Sequence, residues 1–173
     1  VEIATPLIYV ILFYKYGLTG LFFKYALVSS FMIPIFFIDA FHKLVLHVTT
    51  FPLIITGLLL SLLPQMDVSF GNAGLSALTV FLLLLLIAWL FQIIRKKDGL
   101  GGGDIWLLTG VATYFGFMGI PWIVLFSCIT AIMYFLVFVR NSDQEFVLGP
   151  FIAFASILWA IFGDFIGTRI LAY

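Results

Sequence analysis

Leu75-Ser-Ala-Leu-Thr-Val-Phe-Leu-Leu-Leu-Leu-Leu-Ile-Ala-Trp-Leu-Phe-Gln-Ile-Ile94, followed at once by Arg95-Lys96-Lys97, decides the fold class. A helix crossing a hydrocarbon core of ~30 Å needs about 20 apolar residues. This run has that length and holds no ionisable side chain. The cations that close it are the usual flank of a membrane helix on its cytoplasmic side. The rest of the chain has the same character. Of 173 residues, 64% are hydrophobic, 18% aromatic and 9% charged, whereas a soluble domain carries roughly 25% charged residues. That composition excludes a water-soluble enzyme, a disordered tail and a nucleic-acid binder. With 8 basic and 8 acidic residues there is no cationic footprint for a polyanion either.

Seven apolar runs can be marked out: Ile3–Tyr14, Gly20–Ile38, Val48–Leu63, Leu75–Ile94, Ile105–Phe117, Ile120–Val139 and Phe146 to the C-terminus. None alternates with the period of a strand. In hydrocarbon each backbone polar group must be satisfied within its own segment, so the runs are helices. The expected fold is all-α, a polytopic integral membrane bundle of about six or seven segments, with residues 1–173 forming a single unit. The second, fourth, sixth and seventh runs are long enough to span. Ile105–Phe117 would reach only about 20 Å at ~1.5 Å per residue, so it must lie within a protein-lined cavity or begin below the membrane surface. Joints are expected at Gly17 and Gly20, Pro52, Pro64 with Gly71 and Gly74, Gly99–Gly103, Gly119 with Pro121, and Gly149-Pro150. Lys43, Arg95 to Lys97 and Arg140 fall in alternate loops, which the positive-inside rule places in the cytoplasm, leaving Tyr173 outside. Ile3–Tyr14 has no charged segment before it and no cleavage pattern, so it reads as a helix and not a signal peptide. One cysteine, Cys128, permits neither an intrachain disulfide nor a multi-cysteine zinc site.

Ionisable residues at membrane depth default to function. Glu2, Asp67, Asp98, Asp143 and Glu145 sit in loops or at the chain start and read as solvated, and Asp164 as a partner for Arg169 or an interfacial anchor. Asp39 and Asp104 differ. Asp39 closes the apolar helix of Ile33-Pro-Ile-Phe-Phe-Ile-Asp-Ala-Phe-His-Lys43, and Asp104 follows Gly101, Gly102 and Gly103 at the head of the short fifth run. The charge count puts both at cytoplasmic helix ends, at one level. Two carboxylates held close share a proton, and such a pair can take a proton from water while giving one to a carbonyl oxygen. Each aspartate also has a plainer reading. Asp104 can cap its helix, and Asp39 can pair with Lys43 at i+4. The glycines read as a flexible turn or as a place where another backbone approaches closely. His42 and His47 are too few for a metal site without a third ligand type nearby. No metal or cofactor is expected, and His42 and Lys43 are candidates to touch substrate or to support Asp39.

At these motifs the chain resembles the bacterial type IV prepilin peptidases, intramembrane aspartic proteases named for a Gly-x-Gly-Asp motif. Phe37-Ile-Asp-Ala-Phe-His-Lys-Leu-Val-Leu-His-Val-Thr-Thr-Phe-Pro52 is similar to the family's first aspartate segment. Asp98-Gly-Leu-Gly-Gly-Gly-Asp-Ile-Trp-Leu-Leu108 is similar to its second, and Phe146-Val-Leu-Gly-Pro-Phe151 to a Gly-Pro stretch before its last helix. The resemblance implies catalytic roles for Asp39 and Asp104, with Gly101 to Gly103 shaping the second site. It implies prepilin or type II secretion pseudopilin substrates, cut at the cytoplasmic face of the bacterial inner membrane. The chain departs from the pattern at Leu46-His47, where the family has Pro-Asp or Pro-Asn, and at Trp106, where it has lysine. Most full-length members also carry an N-terminal module with zinc-binding cysteines that methylates the trimmed pilin. Nothing in residues 1–173 corresponds to that module, so this chain is expected to be the protease portion, the module being removed, absent or supplied by a second chain. Two other functions fit the same aspartates: a relative acting on archaeal preflagellin-type precursors, and a small proton- or ion-coupled transporter. Transporters place such acids near the midplane, which favours the protease.

Overall fold

The computed structural model describes residues 2–42, 47–95, 101–138 and 148–170, and side chains within 2–41, 48–94, 101–137 and 148–163. Among them every regular element is helical: α1 (Ala4–Tyr16), α2 (Gly20–His42), α3 (His47–Leu60), α4 (Phe70–Arg95), α5 (Gly102–Phe138) and α6 (Gly149–Ile170). Three stretches, Gly20–Phe41, Phe70–Ile94 and Gly102–Val137, are long and apolar enough to cross a membrane, and shorter apolar helices cover Val48–Leu60 and Gly149–Gly163. The protein is a polytopic membrane helical bundle. Its outer surface is correspondingly apolar: Leu75, Leu78, Leu82, Leu86 and Trp89 of α4 all face outward.

The first half of α5 is the spindle of the bundle. Helices α3 and α4 pack against it; α6 packs against α5 as well, with Trp159 and Phe151 meeting its second half, and α2 lies against α1, α3 and α6. Ile105, Leu107, Leu108, Val111, Ala112, Tyr114 and Phe115 are all buried, so the run too short to span a bilayer alone is enclosed by protein. Without a hydrophobic force between helices in lipid, close approach and hydroxyl bonds hold such an axis. A Cβ on Gly57 of α3 would lie 2.8 Å from both Thr113 Cβ and Tyr114 Cδ2 of α5. One on Gly110 would lie 2.6 Å from Leu53 Cδ2. Thr56 and Tyr114 share a hydrogen bond of 2.6 Å, and Ser76 Oγ of α4 donates to the Ala112 carbonyl at 2.9 Å.

Two expectations need correction. The joint between the fifth and sixth runs lies at Gly116, not at Gly119-Pro121, and Met118 and Gly119 are helical. Gly116 takes φ 60° and ψ −168°, a left-handed φ that a Cβ would strain. The Phe117 N–H freed by this break donates to Asn72 Oδ1 at 3.2 Å. Pro121 is tolerated because it falls close to the start of the second segment. Gly119 serves packing, since a Cβ there would lie 2.6 Å from Phe115 Cβ and 2.9 Å from Trp159 Nε1. Pro52, expected at a joint, lies inside α3. Asp67 is an exposed loop acid as expected, with partners besides. It is ion-paired to Lys24, which is 2% exposed, and it accepts a hydrogen bond from Tyr25 Oη at 2.9 Å.

Gly57→Ala and Gly110→Ala should each lower stability by about 1–3 kcal/mol through overpacking. Gly74→Ala, where a Cβ meets nothing within 4 Å, should cause no loss. Thermal unfolding in detergent measures all three.

Candidate active site

The two aspartates arrive on antiparallel segments that are fixed to each other at a distance. Tyr25 of α2 stacks on Phe115 of α5 with ring centroids 6.0 Å apart and planes 21° from parallel. From that contact α2 runs about 21 Å to Asp39, and α5 runs about 17 Å back to Asp104, at ~1.5 Å per residue. Both carboxyl groups thus lie at the end of the bundle away from Gly116. They are close enough for the charge of Asp39 to act on Asp104. The two aspartates that the sequence singled out therefore share one end of the bundle.

Both are withdrawn from solvent. Asp39 is 1% exposed and Asp104 9%. Asp39 Oδ2 is buried and has no hydrogen-bond partner among the described residues. A desolvated, unpartnered carboxylate is costly and is the signature of a site that serves chemistry at the expense of stability. Asp104 stands in the first turn of α5, where its backbone N–H bonds the Gly101 carbonyl at 3.0 Å. Its side chain makes no hydrogen bond among the described residues, while its place in the first turn sets its charge against the helix N-terminus. Gly101 fits against it: a Cβ on Gly101 would lie 3.3 Å from Asp104 Oδ2, whereas one on Gly102 meets nothing within 4 Å. Gly103 is half-buried.

Trp106, a departure from the resembled pattern, points to the other side of the helix from Asp104, since two residues turn it by about 200°. There it packs between Phe51 of α3 and Phe81 of α4, at centroid distances of 5.1 and 5.0 Å. It therefore braces the spindle from behind the carboxylates. Lys43 and the side chains of His42, His47 and Asp164 lie outside the described residues, and with them the expected Asp39–Lys43 pair. Among the described residues no three His, Cys, Asp or Glu side chains converge as a metal site would require. The residues that sequence reasoning passed over are Lys24, Tyr25, Asp67 and Asn72, which tie the far ends of the same two helices. Lys24 alone carried a signal, as a cation inside an apolar helix.

Residues 26–136, which include both aspartates, match the family described as "Type IV leader peptidase family". Curated relatives include "Prepilin leader peptidase/N-methyltransferase" of Aeromonas hydrophila, 32% identical over 137 residues, covering 77% of this chain and 47% of the relative. The protein of the same name from Dichelobacter nodosus is 30% identical over 168 residues, covering 96% and 58%. That from Pseudomonas aeruginosa is 27% identical over 168 residues, covering 95% and 58%. The chain spans about half the length of the curated relatives it matches. No solved structure matches it.

If Asp39 is held against its own desolvation, relieving the charge should stabilise the protein. Asp39→Asn is expected to raise stability at neutral pH by about 1–3 kcal/mol, the scale of an unsatisfied buried polar group. Equilibrium or thermal unfolding in detergent, compared with wild type, reads the sign directly.

Proposed function

The chain belongs to the type IV leader peptidase family, and on that premise we propose that it is an aspartic endopeptidase that removes the leader of type IV prepilins or pseudopilins. What supports this reading is that two buried carboxylates, Asp39 on α2 and Asp104 on α5, lie at the same end of segments that run antiparallel from the Tyr25–Phe115 contact. With one carboxyl protonated and the other ionised, a water between them loses a proton to the carboxylate as its oxygen attacks the scissile carbonyl carbon. The acid gives its proton to the carbonyl oxygen. The tetrahedral diol then collapses: one hydroxyl proton returns to a carboxylate, the C–N bond breaks, and the leaving amine takes up a proton from the other carboxyl. Atoms and charge balance, and no metal or cofactor takes part.

Access follows from the same placement. Lys43, Arg95 to Lys97 and Arg140 flank the aspartate end in sequence, so the site faces the cytoplasm by the positive-inside rule. A precursor with a polar leader and an apolar helix meets the bilayer boundary at the junction of the two. Its helix lies laterally against the bundle while the leader reaches the carboxylates from the aqueous side. Gly101 to Gly103 keep that approach free of side chains. His42 and Lys43 follow Asp39 in sequence and are the candidates to touch substrate.

Cleavage of a pilin-like precursor in detergent or proteoliposomes tests the reading. Asp39→Asn and Asp104→Asn should each reduce turnover by about 10²–10⁴-fold or more, the usual weight of positioned acid–base groups, with the fold intact. EDTA should leave the rate unchanged. Gly101→Val should depress turnover through contact with the Asp104 carboxylate, and Gly102→Ala should be milder. Retained cleavage in either asparagine variant would overturn the assignment.

A further inference from the structure

At the end of the bundle opposite the aspartates, the connection between α3 and α4 and the first turn of α4 hold α2 and α5 at once. Asp67 pairs with the Lys24 ammonium and accepts from Tyr25 Oη at 2.9 Å, both on α2. One residue on, Val68 is 6% exposed and sits against the α5 break: a Cβ on Gly116 would lie 3.1 Å from Val68 Cγ1. Asn72 completes the contact through its Oδ1, 3.2 Å from the Phe117 N–H. Tyr25 closes the ring by stacking on Phe115. We propose that Asp67 is a positioning residue for the aspartate pair. Through this clasp it fixes α2 against α5, and so fixes the separation of Asp39 and Asp104 about 20 Å away along the same helices.

Three observations point the same way. Lys24 is 2% exposed, a burial that an ammonium does not accept in an apolar helix without a partner. The clasp grips α5 at its break, the one place where the spindle would otherwise be free to bend. And the segments that carry Asp39 and Asp104 run antiparallel from the Tyr25–Phe115 contact beside the clasp, so an error there is carried along both. Rigid segments pinned at one end transmit an angular error to the other. A displacement of about 1 Å at a reacting group costs on the order of 10²-fold in rate. The proposal rests on the proteolytic reading for its kinetic consequence, but not for its geometric one.

The test uses the full chain in a Cys128→Ser background, since Cys128 is an exposed free thiol. Spin labels at Phe41→Cys and Gly102→Cys, both exposed positions next to the aspartates, report the separation of the two helix ends. Because Asp67→Asn alone removes the anion paired with a buried ammonium, Lys24→Met with Asp67→Asn is made beside it, and Asp67→Glu serves as the conservative variant. Removing the clasp should broaden the distance distribution and lower kcat by about tenfold or more. KM should be little changed, helix content should be retained, and Asp67→Glu should recover much of both. An unchanged distance distribution in the double variant overturns the proposal, as does a rate loss that tracks only the fraction unfolded. If the wild type cleaves no precursor, or Asp39→Asn cleaves as well as it does, the proteolytic reading fails. The spin-label distances then still decide whether the clasp sets the spacing of the two carboxylates.

Discussion

A carboxylate buried to 1% exposure, with an oxygen that has no hydrogen-bond partner among the described residues, is the constraint on which the rest of this bundle depends. In a chain that is 64% hydrophobic, nothing about membrane insertion calls for such a group, and solvation opposes it. It persists because the surrounding helices over-determine its position. Antiparallel α2 and the first half of α5 carry the two acids, and α3 packs against both of those segments. The shortness of the Asp104 segment then makes sense. A helix of that reach cannot face lipid on both sides, but as an enclosed spindle it can begin at the edge of the apolar layer, where water and a peptide bond can meet the carboxylates.

The packing that builds this spindle is made of small residues and hydroxyls. Gly57 and Gly110 let α3 close on α5, and Ser76 and Thr56 reach across to a backbone carbonyl and to Tyr114. These contacts leave little freedom along α5 except at Gly116, and there Asn72 and Val68 occupy the space that a side chain on Gly116 would need. The bundle is thus stiff between two ends with different tasks. One end is a clasp of paired charge and aromatic rings. The other holds two buried acids.

Much of this was legible in the residues. Helices followed from unbroken apolar runs, and Asp39 and Asp104 stood out because charge in lipid has to be explained. The shared level of the two acids followed from the positions of lysine and arginine. What could not be read was how segments distant in sequence meet. Gly116 and Gly119 look alike in a string of letters, and the neighbouring Pro121 favours placing the break at Gly119. Only packing against Trp159 and Asn72 tells which glycine bends and which one makes room. Asp67 looked solvated because its loop is polar. Its partners, Lys24 and Tyr25, lie more than forty positions earlier, beyond the reach of any local pattern. Trp106 looked like a departure near the site, while helical periodicity turns it away from Asp104 and towards Phe51 and Phe81.

The claim at the centre is that Asp39 and Asp104 form one site, facing each other across α2 and α5. A direct measurement replaces both with cysteine in a Cys128→Ser background and treats membranes with a short bifunctional thiol reagent, followed by intact-mass analysis. A single bridging adduct in the double variant, with the matching single variants taking up only open monoadducts, is the expected result. Two independent monoadducts in the double variant, with no bridged species under conditions where both thiols react, would contradict it.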